Sequence, residues 1–456
     1  MFVGNSMLGK SKASMHSSAM SQLVLPWKVA VVIVDKSNVK QLFPSIIHAI
    51  NSASFVAIDL ELSGLGNRKD LGAASLDDRY KVLSHVAATR AIIALGISCF
   101  HRLQVYDNED GDAEYTTVMT QTFNMMTLCD EAYTVDPESL QFLVHHGFNF
   151  NRQYSSGISF RRGNDKTGDE NPKIGNYLRR LLLELIKSKK PIIVHNGLAD
   201  LVFLYQNLYL ELPLKLDTFV ADLSEMFEGG IYDTKYIARV KGDESSTYLQ
   251  YVFRKLQREN VQNRSNNDRH IITKQCDYPK ILHESIDLVD CSVFPFDSET
   301  NLSRPVNVCQ PFATRGYCPS GIECNKSHNI DDVLFMEEQA LTNKRSKKRK
   351  IENDNGEATE KAKSETCNQV NRKLLLHRSG IHRAGFDAYM TGFIFAYYSF
   401  KHSNQDKELT ESVSKILGLR DCRNRIHLNR KTMPLQIVKS QFAKSSNLHQ
   451  KKLKEI

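Results

Sequence analysis

The chain lacks the long apolar run that a membrane span requires. Its longest apolar stretches, such as residues 91–100, have the length of a strand, whereas a spanning helix needs about 18 or more apolar residues. No basic-then-apolar secretory signal opens the sequence, and no internal repeat is visible. We therefore predict no membrane partner. Residues 1–22, which are rich in Ser and Met and contain no acid, predict a disordered tail, with a weak transit peptide as the alternative.

The nine cysteines do not form a disulfide framework. Most are scattered without regular spacing, which is typical of a chain kept in a reducing compartment. The scattered ones are Cys99, Cys129, Cys276, Cys291, Cys367 and Cys422, and the others lie close together beside a histidine. The net charge of +8 mildly favours a polyanionic partner, although most of it comes from one local basic run.

The stretch FVAIDLELSGL, residues 55–65, carries the first acidic motif. Its apolar run predicts a buried strand, and because side chains alternate along a strand, Asp59 and Glu61 share one face at its carboxyl end. Two carboxylates at this spacing repel each other, and burying them is costly unless a cation or a proton compensates. The pattern predicts half of a divalent-metal site. Two solvated acids at an ordinary strand end are the alternative.

Two later motifs supply further acids. PIIVHNGLAD predicts a strand, a tight turn and a helix that has Asp200 in its first turn. HRAGFD precedes a long apolar helix, so we expect His382 in a loop and Asp387 in the first helical turn. Taken alone, Asp200 is equally explained by the helix dipole, and the His–Asp pair by a structural hydrogen bond. Strands and helices alternate along the chain, which predicts a mixed α/β sheet domain.

The order of these motifs resembles that of the DEDDh exonucleases, which have a ribonuclease H-like fold. Asp-x-Glu ends one strand, Asn-x-x-x-Asp follows another, and His-x-x-x-x-Asp opens a late helix. The flanking sequences ELSGL, HNG and HRAGFDA resemble the eukaryotic deadenylase family, and the motifs span residues 55–390. The resemblance implies a poly(A)-specific 3′–5′ exoribonuclease that removes oligo(A) tails and trims 3′ ends of single-stranded RNA, such as small nuclear RNAs, with release of 5′-AMP.

The resemblance also assigns roles to the motif residues. Asp59, Glu61, Asp200 and Asp387 would hold two Mg²⁺ ions, for which Mn²⁺ could substitute. Asp59 would bridge both ions, Glu61 and Asp387 would complete one, and Asp200 would act on the other directly or through water. His382, with an ordinary pKa of about 6.5, suits a general base that takes the proton from the attacking water. Carboxylate oxygens are the ligands that hard cations such as Mg²⁺ prefer.

A second cluster, Cys309, Cys318, Cys324 and His328, has the spacing C-x8-C-x5-C-x3-H. These ligands suit tetrahedral zinc, and because the segment is too short to bury a core, structural Zn²⁺ would supply its folding energy. The pattern resembles CCCH zinc fingers, which often bind single-stranded RNA; incidental cysteines are the alternative. Phe312 occupies the usual stacking position. Tyr317 could partly replace the second aromatic, since Lys326 stands where that residue is expected. General RNA affinity and a protein contact are both open for this finger.

A basic run at residues 344–350 holds six basic residues in seven. It predicts a nuclear localisation signal read by an import receptor, with a solvated charge run as the alternative. The signal residues are Lys344, Arg345, Lys347, Lys348, Arg349 and Lys350. The predicted location is the nucleus, and the resemblance adds the nucleolus or nuclear bodies.

We predict an interrupted nuclease domain. Its units are a tail (1–22), the first nuclease part (23–265), an irregular insertion (266–305), the zinc finger (306–330), a charged linker with the localisation signal (331–376) and the last nuclease part (377–456). Ser63 and residues 232–236 are further candidates for lining the RNA path. Two rival functions stay open: a DNA 3′–5′ exonuclease on the same scaffold, and a non-catalytic nuclear RNA-binding or regulatory protein.

Overall fold

The computed structural model describes residues 27–67, 69–107, 114–163, 176–242, 244, 246–292, 307–340, 383–403 and 419–456. The predicted tail at residues 1–22 lies outside them. Within the described part of the chain, none of the helices combines the length and the hydropathy needed to cross a membrane.

Eleven strands in the described residues form a mixed sheet. They are β1 (Lys28–Val34), β2 (Phe55–Leu62), β3 (Ile92–Asp107), β4 (Glu114–Cys129), β5 (Ile158–Phe160), β6 (Ile192–Val194), β7 (Ile231–Asp233), β8 (His270–Gln275), β9 (Ile286–Asp290), β10 (Arg425–Ile426) and β11 (Leu435–Gln436). The order along the main path is β11-β10-β7-β6-β2-β3-β4-β1-β9, and β5 and β8 pair with β4 outside it. At the centre, β2, β3 and β4 are antiparallel, while β6 and β7 join β2 in parallel.

Helices flank both faces of this sheet. They are α1 (Val39–Ser52), α2 (Leu76–Thr89), α3 (Pro137–His145), α4 (Phe150–Ser156), α5 (Tyr177–Lys187), α6 (Leu198–Leu204), α7 (Leu216–Met226), α8 (Thr234–Lys241), α9 (Leu249–Ser265), α10 (Gln310–Arg315), α11 (described over 330–340), α12 (Ala384–Lys401) and α13 (Asn447–Glu455). The predicted fold class, an α/β ribonuclease H-like mixed sheet flanked by helices, is confirmed.

Alternation along β2 divides the interior into two cores. Val56 and Ile58 point into the core formed with α1, α2, α5, α6 and α7. Phe55 and Ala57 point into the other, which is formed with α8, α9, α11 and α12. Asp59 and Glu61 share the parity of Phe55 and therefore lie on the α12 face of the sheet.

Helix α12 is central to that second core. Its residues from Ala384 to Phe400 are all buried, and the helix contacts β2, β3, β4 and α9. A helix that is apolar all round is expected where protein covers every side. The last part of the chain thus returns to the middle of the sheet, against strands formed by the first part.

Two segments differ from the prediction. The irregular insertion at 266–305 contains β8 and β9, which pair with β4 and β1. The charged linker at 331–376 begins as helix α11. Each of these elements buries only one side. Its exposed side is polar, so its sequence looks like that of a loop. Residues 293–306 and 341–382 lie outside the described part of the chain.

Candidate active site and metal centre

The carboxyl end of β2 presents the first two predicted acids. Asp59 lies opposite Gly96 and Glu61 opposite Ala94 on β3. Both acids keep part of their surface accessible, whereas the apolar residues before them are buried. A ligand can therefore approach these two carboxylates from solvent while the strand itself stays fixed in the core.

Glycines allow the start of α12 to approach this strand end. A Cβ on Gly96 would overlap the backbone of Ala384 and Gly385, and one on Gly385 would press on Val31 and Asn124. The N–H of Gly385 donates to Asn124 Oδ1 at 2.9 Å. This close contact between helix and sheet brings the first turn of α12 beside Asp59.

Asp387 completes a carboxylate cluster with the two strand acids. Asp59, Glu61 and Asp387 each offer an oxygen within 4.8 Å of the others, and Asp387 is only 7% exposed. Burial, followed by the charges of Asp387 and Asp200, raises the pKa of Asp59 and of Glu61 well above the ordinary values. Converging, desolvated carboxylates fit a hard divalent cation, because such an ion offsets their repulsion.

Asp200 lies next to this cluster, in the first turn of α6. Burial raises the pKa of Asp200 to about 7, and the charge of Asp233 adds to that effect, while hydrogen bonds from backbone groups, including that of Leu60, oppose it. The charge of Asp200 in turn raises the pKa of Asp59. Asp200 therefore lies beside the cluster, whereas the oxygens that converge within 4.8 Å are those of Asp59, Glu61 and Asp387.

Asp233 is a buried acid within the segment 232–236, and its role in positioning the turn before Asp200 was not predicted. It caps α8 by accepting from the N–H of Lys235 at 2.9 Å. The same carboxylate accepts from the N–H groups of Asn196 at 2.9 Å, Gly197 at 3.3 Å and His427 at 2.9 Å. Asp233 thus fixes the turn, with a positive φ at Asn196, that leads into α6. Its sequence signal was an N-cap acid directly before a helix.

His195 is held beside that turn in a neutral state. Its Nδ1 lies 2.8 Å from Thr234 Oγ1, and its Nε2 lies 3.0 Å from the carbonyl of Thr247, to which it donates. Burial, together with the nearby charge of Lys235, lowers the pKa of His195 well below its ordinary value. Lys235 Nζ donates to the same Thr247 carbonyl at 3.3 Å.

The predicted general base, His382, lies outside the described residues. The next residue, Arg383, directly precedes α12 and forms an ion pair with Asp287 of β9. The described residues therefore anchor the chain one position after His382, at the entrance to the helix that carries Asp387.

The second cluster also comes together. Cys309, Cys318, Cys324 and His328 offer ligand atoms that lie within 4.8 Å of one another. The N–H of Cys309 donates to Ser327 at 3.0 Å and closes the segment on itself. In the part of the chain that the structure describes, the buried His328 Nε2 has no hydrogen-bond partner. Three thiols and this imidazole nitrogen fit a tetrahedral zinc ion.

The three RNA-contact candidates have different surroundings. Ser63 is fully buried, donates from Oγ to the carbonyl of Thr134 at 2.8 Å and accepts from the N–H of Ala91 at 3.1 Å, so it cannot line an RNA path as placed. Phe312 is half-buried, and its ring packs against those of His328 and Tyr248. Tyr317 is 44% exposed.

The segment 232–236 is likewise mostly internal, since Tyr232, Asp233 and Thr234 are fully buried. These side chains carry the packing and the capping bonds described above, so as placed they do not line an RNA path. The signal residues at 344–350 lie outside the described part of the chain.

A sequence model described as CAF1 family ribonuclease matches residues 34–174 and 167–395 of the chain. The first range contains Asp59 and Glu61, and the second contains Asp200, His382 and Asp387.

Several known proteins are similar to parts of the chain. The poly(A)-specific ribonuclease PARN of Xenopus laevis is 27% identical over 138 residues, which cover 28% of this chain and 21% of that protein. PARN of Danio rerio is 26% identical over 140 residues, covering 28% of this chain and 20% of the relative. The match thus spans about a fifth of the length of these curated relatives. Among solved structures, the Mg²⁺- and Mn²⁺-bound form of S. pombe Pop2p has a TM-score of 0.37 and 21% identity, over 50% of this chain and 82% of that chain.

Proposed function

Because the chain belongs to the CAF1 family of ribonucleases, we propose that it is a poly(A)-specific 3′–5′ exoribonuclease that depends on two divalent cations. The carboxylates of Asp59, Glu61 and Asp387, within 4.8 Å of one another, carry the proposal. A desolvated set of like charges is maintained in a fold only at a cost in stability, and such arrangements concentrate at functional sites.

Each acid has a place in the proposed mechanism. Asp59, Glu61 and Asp387 would hold one cation, and Asp59 and Asp200 the other, with Mn²⁺ able to replace Mg²⁺. When bound, the pair of cations would stabilise the attacking and leaving oxygens of the displacement. The fixed end of β2 and the first turns of α6 and α12 orient the four carboxylates before substrate arrives.

His382 would supply the proton transfer. Its ring would take a proton from the water that attacks the terminal phosphodiester. A bond then forms between this oxygen and phosphorus, the bond to the 3′ oxygen of the preceding nucleotide breaks, that oxygen takes a proton from solvent, and 5′-AMP leaves. The shortened RNA keeps a 3′-hydroxyl and is ready for another cycle. Arg383, the residue after His382 in the sequence, is held by its ion pair with Asp287 directly before α12.

The finger and the basic run support a proposal about where in the cell the enzyme acts. Together with HNG, IYDTKY and KSQF, these features resemble the target of early growth response protein, a nuclear deadenylase. We therefore propose a nuclear enzyme that trims oligo(A) from RNAs such as small nuclear RNAs, with a structural Zn²⁺ in the finger and an import receptor as partner. A fluorescent fusion lacking residues 344–350 should leave the nucleus; continued nuclear enrichment would argue against the signal.

The deciding experiment measures nucleotide release from substrates with matched 3′ tails. RNA ending in oligo(A), oligo(C), oligo(G) or oligo(U), and DNA ending in oligo(dA), are each incubated with Mg²⁺ or with EDTA. We expect Mg²⁺-dependent release of 5′-AMP from the oligo(A) RNA. Preferred cleavage of the DNA would favour a DNA exonuclease, and no release from any substrate would favour a non-catalytic RNA-binding protein.

A further inference from the structure

The finger, residues 307–328, is packed on the nuclease body. The ring of Phe312 lies 4.8 Å from that of His328 and 6.0 Å from that of Tyr248, which directly precedes α9. Ser246 Oγ donates to the carbonyl of Ala313 at 3.0 Å. A Cβ on Gly316 would overlap the Tyr248 ring. The residue expected to stack on RNA is thus the residue that joins the finger to the nuclease.

Helix α11 strengthens this attachment. Asp331 accepts two hydrogen bonds from Arg254 on α9, at 2.8 and 2.9 Å, and one from Arg258 at 2.8 Å. Val333 and Leu334 enter the same core as α12. The finger is therefore bound on one side through Phe312 and continued on the other by a helix that forms part of the nuclease core.

The attachment point is adjacent to the active site. Thr247 lies between Ser246 and Tyr248, which both contact the finger, and its carbonyl accepts from His195 Nε2 at 3.0 Å and Lys235 Nζ at 3.3 Å. His195 immediately precedes the turn into α6, which carries Asp200. Only a few direct contacts therefore separate the cysteine–histidine cluster from this turn.

We propose that the finger is a positioning element of the nuclease: through Phe312, Tyr248 and the Thr247 carbonyl it holds His195 and Lys235, and with them the turn before Asp200. The proposal rests on the nuclease activity and the zinc-loaded finger proposed above. It differs from an RNA-gripping role, in which Phe312 would act through substrate affinity alone. A fixed finger instead orders the catalytic acids whether or not the RNA touches it.

Hydrogen exchange of the zinc-loaded full chain without RNA tests the positioning directly. The amides of Asn196 and Gly197 are bonded to Asp233, so their exchange reports local opening of this turn. We expect Phe312→Ala to speed their exchange by about tenfold or more. Tyr317→Ala, a change at an exposed aromatic of the same finger, should leave it unchanged. Equal exchange in wild type and Phe312→Ala would overturn the proposal.

A second pair of variants keeps every cluster ligand and the Phe312–His328 stack. Tyr248→Ala removes the ring on the nuclease side and should reproduce the faster exchange, whereas Tyr248→Phe keeps the ring and should behave as wild type. Metal content, measured on each variant, shows whether the finger is still loaded. Normal exchange in a loaded Tyr248→Ala protein would overturn the proposal even if Phe312→Ala fails to fold.

Kinetics on oligo(A) RNA separate positioning from RNA grip. Positioning predicts that Tyr248→Ala lowers kcat by about tenfold and changes KM by less than about twofold. A raised KM with unchanged kcat, together with normal exchange, would mean that the finger acts on RNA binding instead. If wild type releases no 5′-AMP, the nuclease function fails, yet the exchange measurement still decides whether the finger orders the turn.

Discussion

The carboxylate cluster and the cysteine–histidine cluster each bring several ligand atoms together, but they draw their residues from the chain differently. The former gathers Asp59, Glu61 and Asp387 from a strand near the start of the chain and a helix near its end. The latter gathers its ligands from one short segment, residues 309–328. Large cores surround the first, whereas the finger contributes few buried side chains of its own.

This difference sets the expected relation between metal and fold. In the carboxylate cluster the core fixes the ligands first, and burial, followed by repulsion between the acids, raises the pKa of Asp59 and Glu61. A metal there would relieve repulsion in a fold that exists without it. In the finger the ligands are neighbours along the chain, so a metal would supply the folding free energy that a small core cannot. A substitution in the carboxylate cluster should mainly lower activity, whereas a substitution in the cysteine–histidine cluster should mainly disrupt local structure.

The largest expected effect follows from changing the strand acid. Asp59→Asn should lower kcat for 5′-AMP release by about 1,000-fold or more, because a residue proposed to bind both cations is lost. Thermal unfolding without divalent metal should occur at an equal or higher temperature, since the substitution removes like-charge repulsion. Asp130→Asn, at an exposed acid after β4, is the control and should keep full activity. Normal turnover by Asp59→Asn would rule out this site.

Changing a finger ligand should first disrupt the local structure of the finger. Cys318→Ser should abolish stoichiometric zinc binding and make proteolysis within residues 307–328 about tenfold faster or more, because the local fold loses its metal. The circular dichroism of the sheet domain should change little. Cys276→Ser, at a partly buried thiol outside the cluster, should retain zinc and resist the protease. A protease-resistant finger without zinc would contradict the comparison.

We expect the nuclease domain to lose stability in mild acid because of His427. Burial, followed by the charges of Lys235 and Arg239, lowers the pKa of His427 to about 4. As the pH falls, His427 therefore becomes protonated in the unfolded chain before it does in the folded one. The folded state loses free energy of unfolding as the pH falls from about 6.5 to about 4. The loss should reach about 3 kcal/mol at most.

Urea unfolding across this pH range measures that loss, in the Cys318→Ser background so that zinc release does not contribute. Adding His427→Gln should flatten the profile, because a side chain that does not titrate replaces the buried imidazole. An unchanged slope would show that other groups carry the acid sensitivity.

The smallest effect concerns the attachment of α11. Asp331→Asn should lower the free energy of unfolding by about 1–2 kcal/mol, because Arg254 and Arg258 lose their shared charged acceptor while part of the site stays solvated. Glu338→Gln is the matched control: its exposed carboxylate lies 3.6 Å from Arg258, and the change should cost about 0.5 kcal/mol or less. Equal losses of unfolding free energy in the two variants, measured by denaturant titration, would show that Asp331 contributes no more stability than the exposed Glu338.

The central strand and helices could be predicted because they follow simple periodicities. The alternation in β2 assigns Asp59 and Glu61 to one face, and the helix signals place Asp200 and Asp387 in first turns. That these residues meet was inferred from the order of the motifs. The structure supplies the physical reason, since Gly96 and Gly385 let α12 lie close to the sheet.

Other features depend on contacts between distant segments and could not be read from local pattern. Ser63 was a candidate for lining the RNA path, yet its hydroxyl donates to the carbonyl of Thr134, far along the chain. Phe312 occupies a position associated with RNA, but its partner Tyr248 is set by tertiary packing. β9 was missed because it is an edge strand whose side chains are at most half-buried.

The late return of α12 has a consequence for synthesis of the chain. Ribosomes synthesise β2, β3 and β4 long before α12, Ala384–Lys401. The apolar surface around Phe55 and Phe100 therefore lacks this helix while the residues between β4 and α12 are made. Such surfaces are recognised by chaperones and proteases. A chain interrupted before Ala384 would therefore lack both this covering helix and Asp387, so we expect it to be recognised for removal and to be inactive as a nuclease.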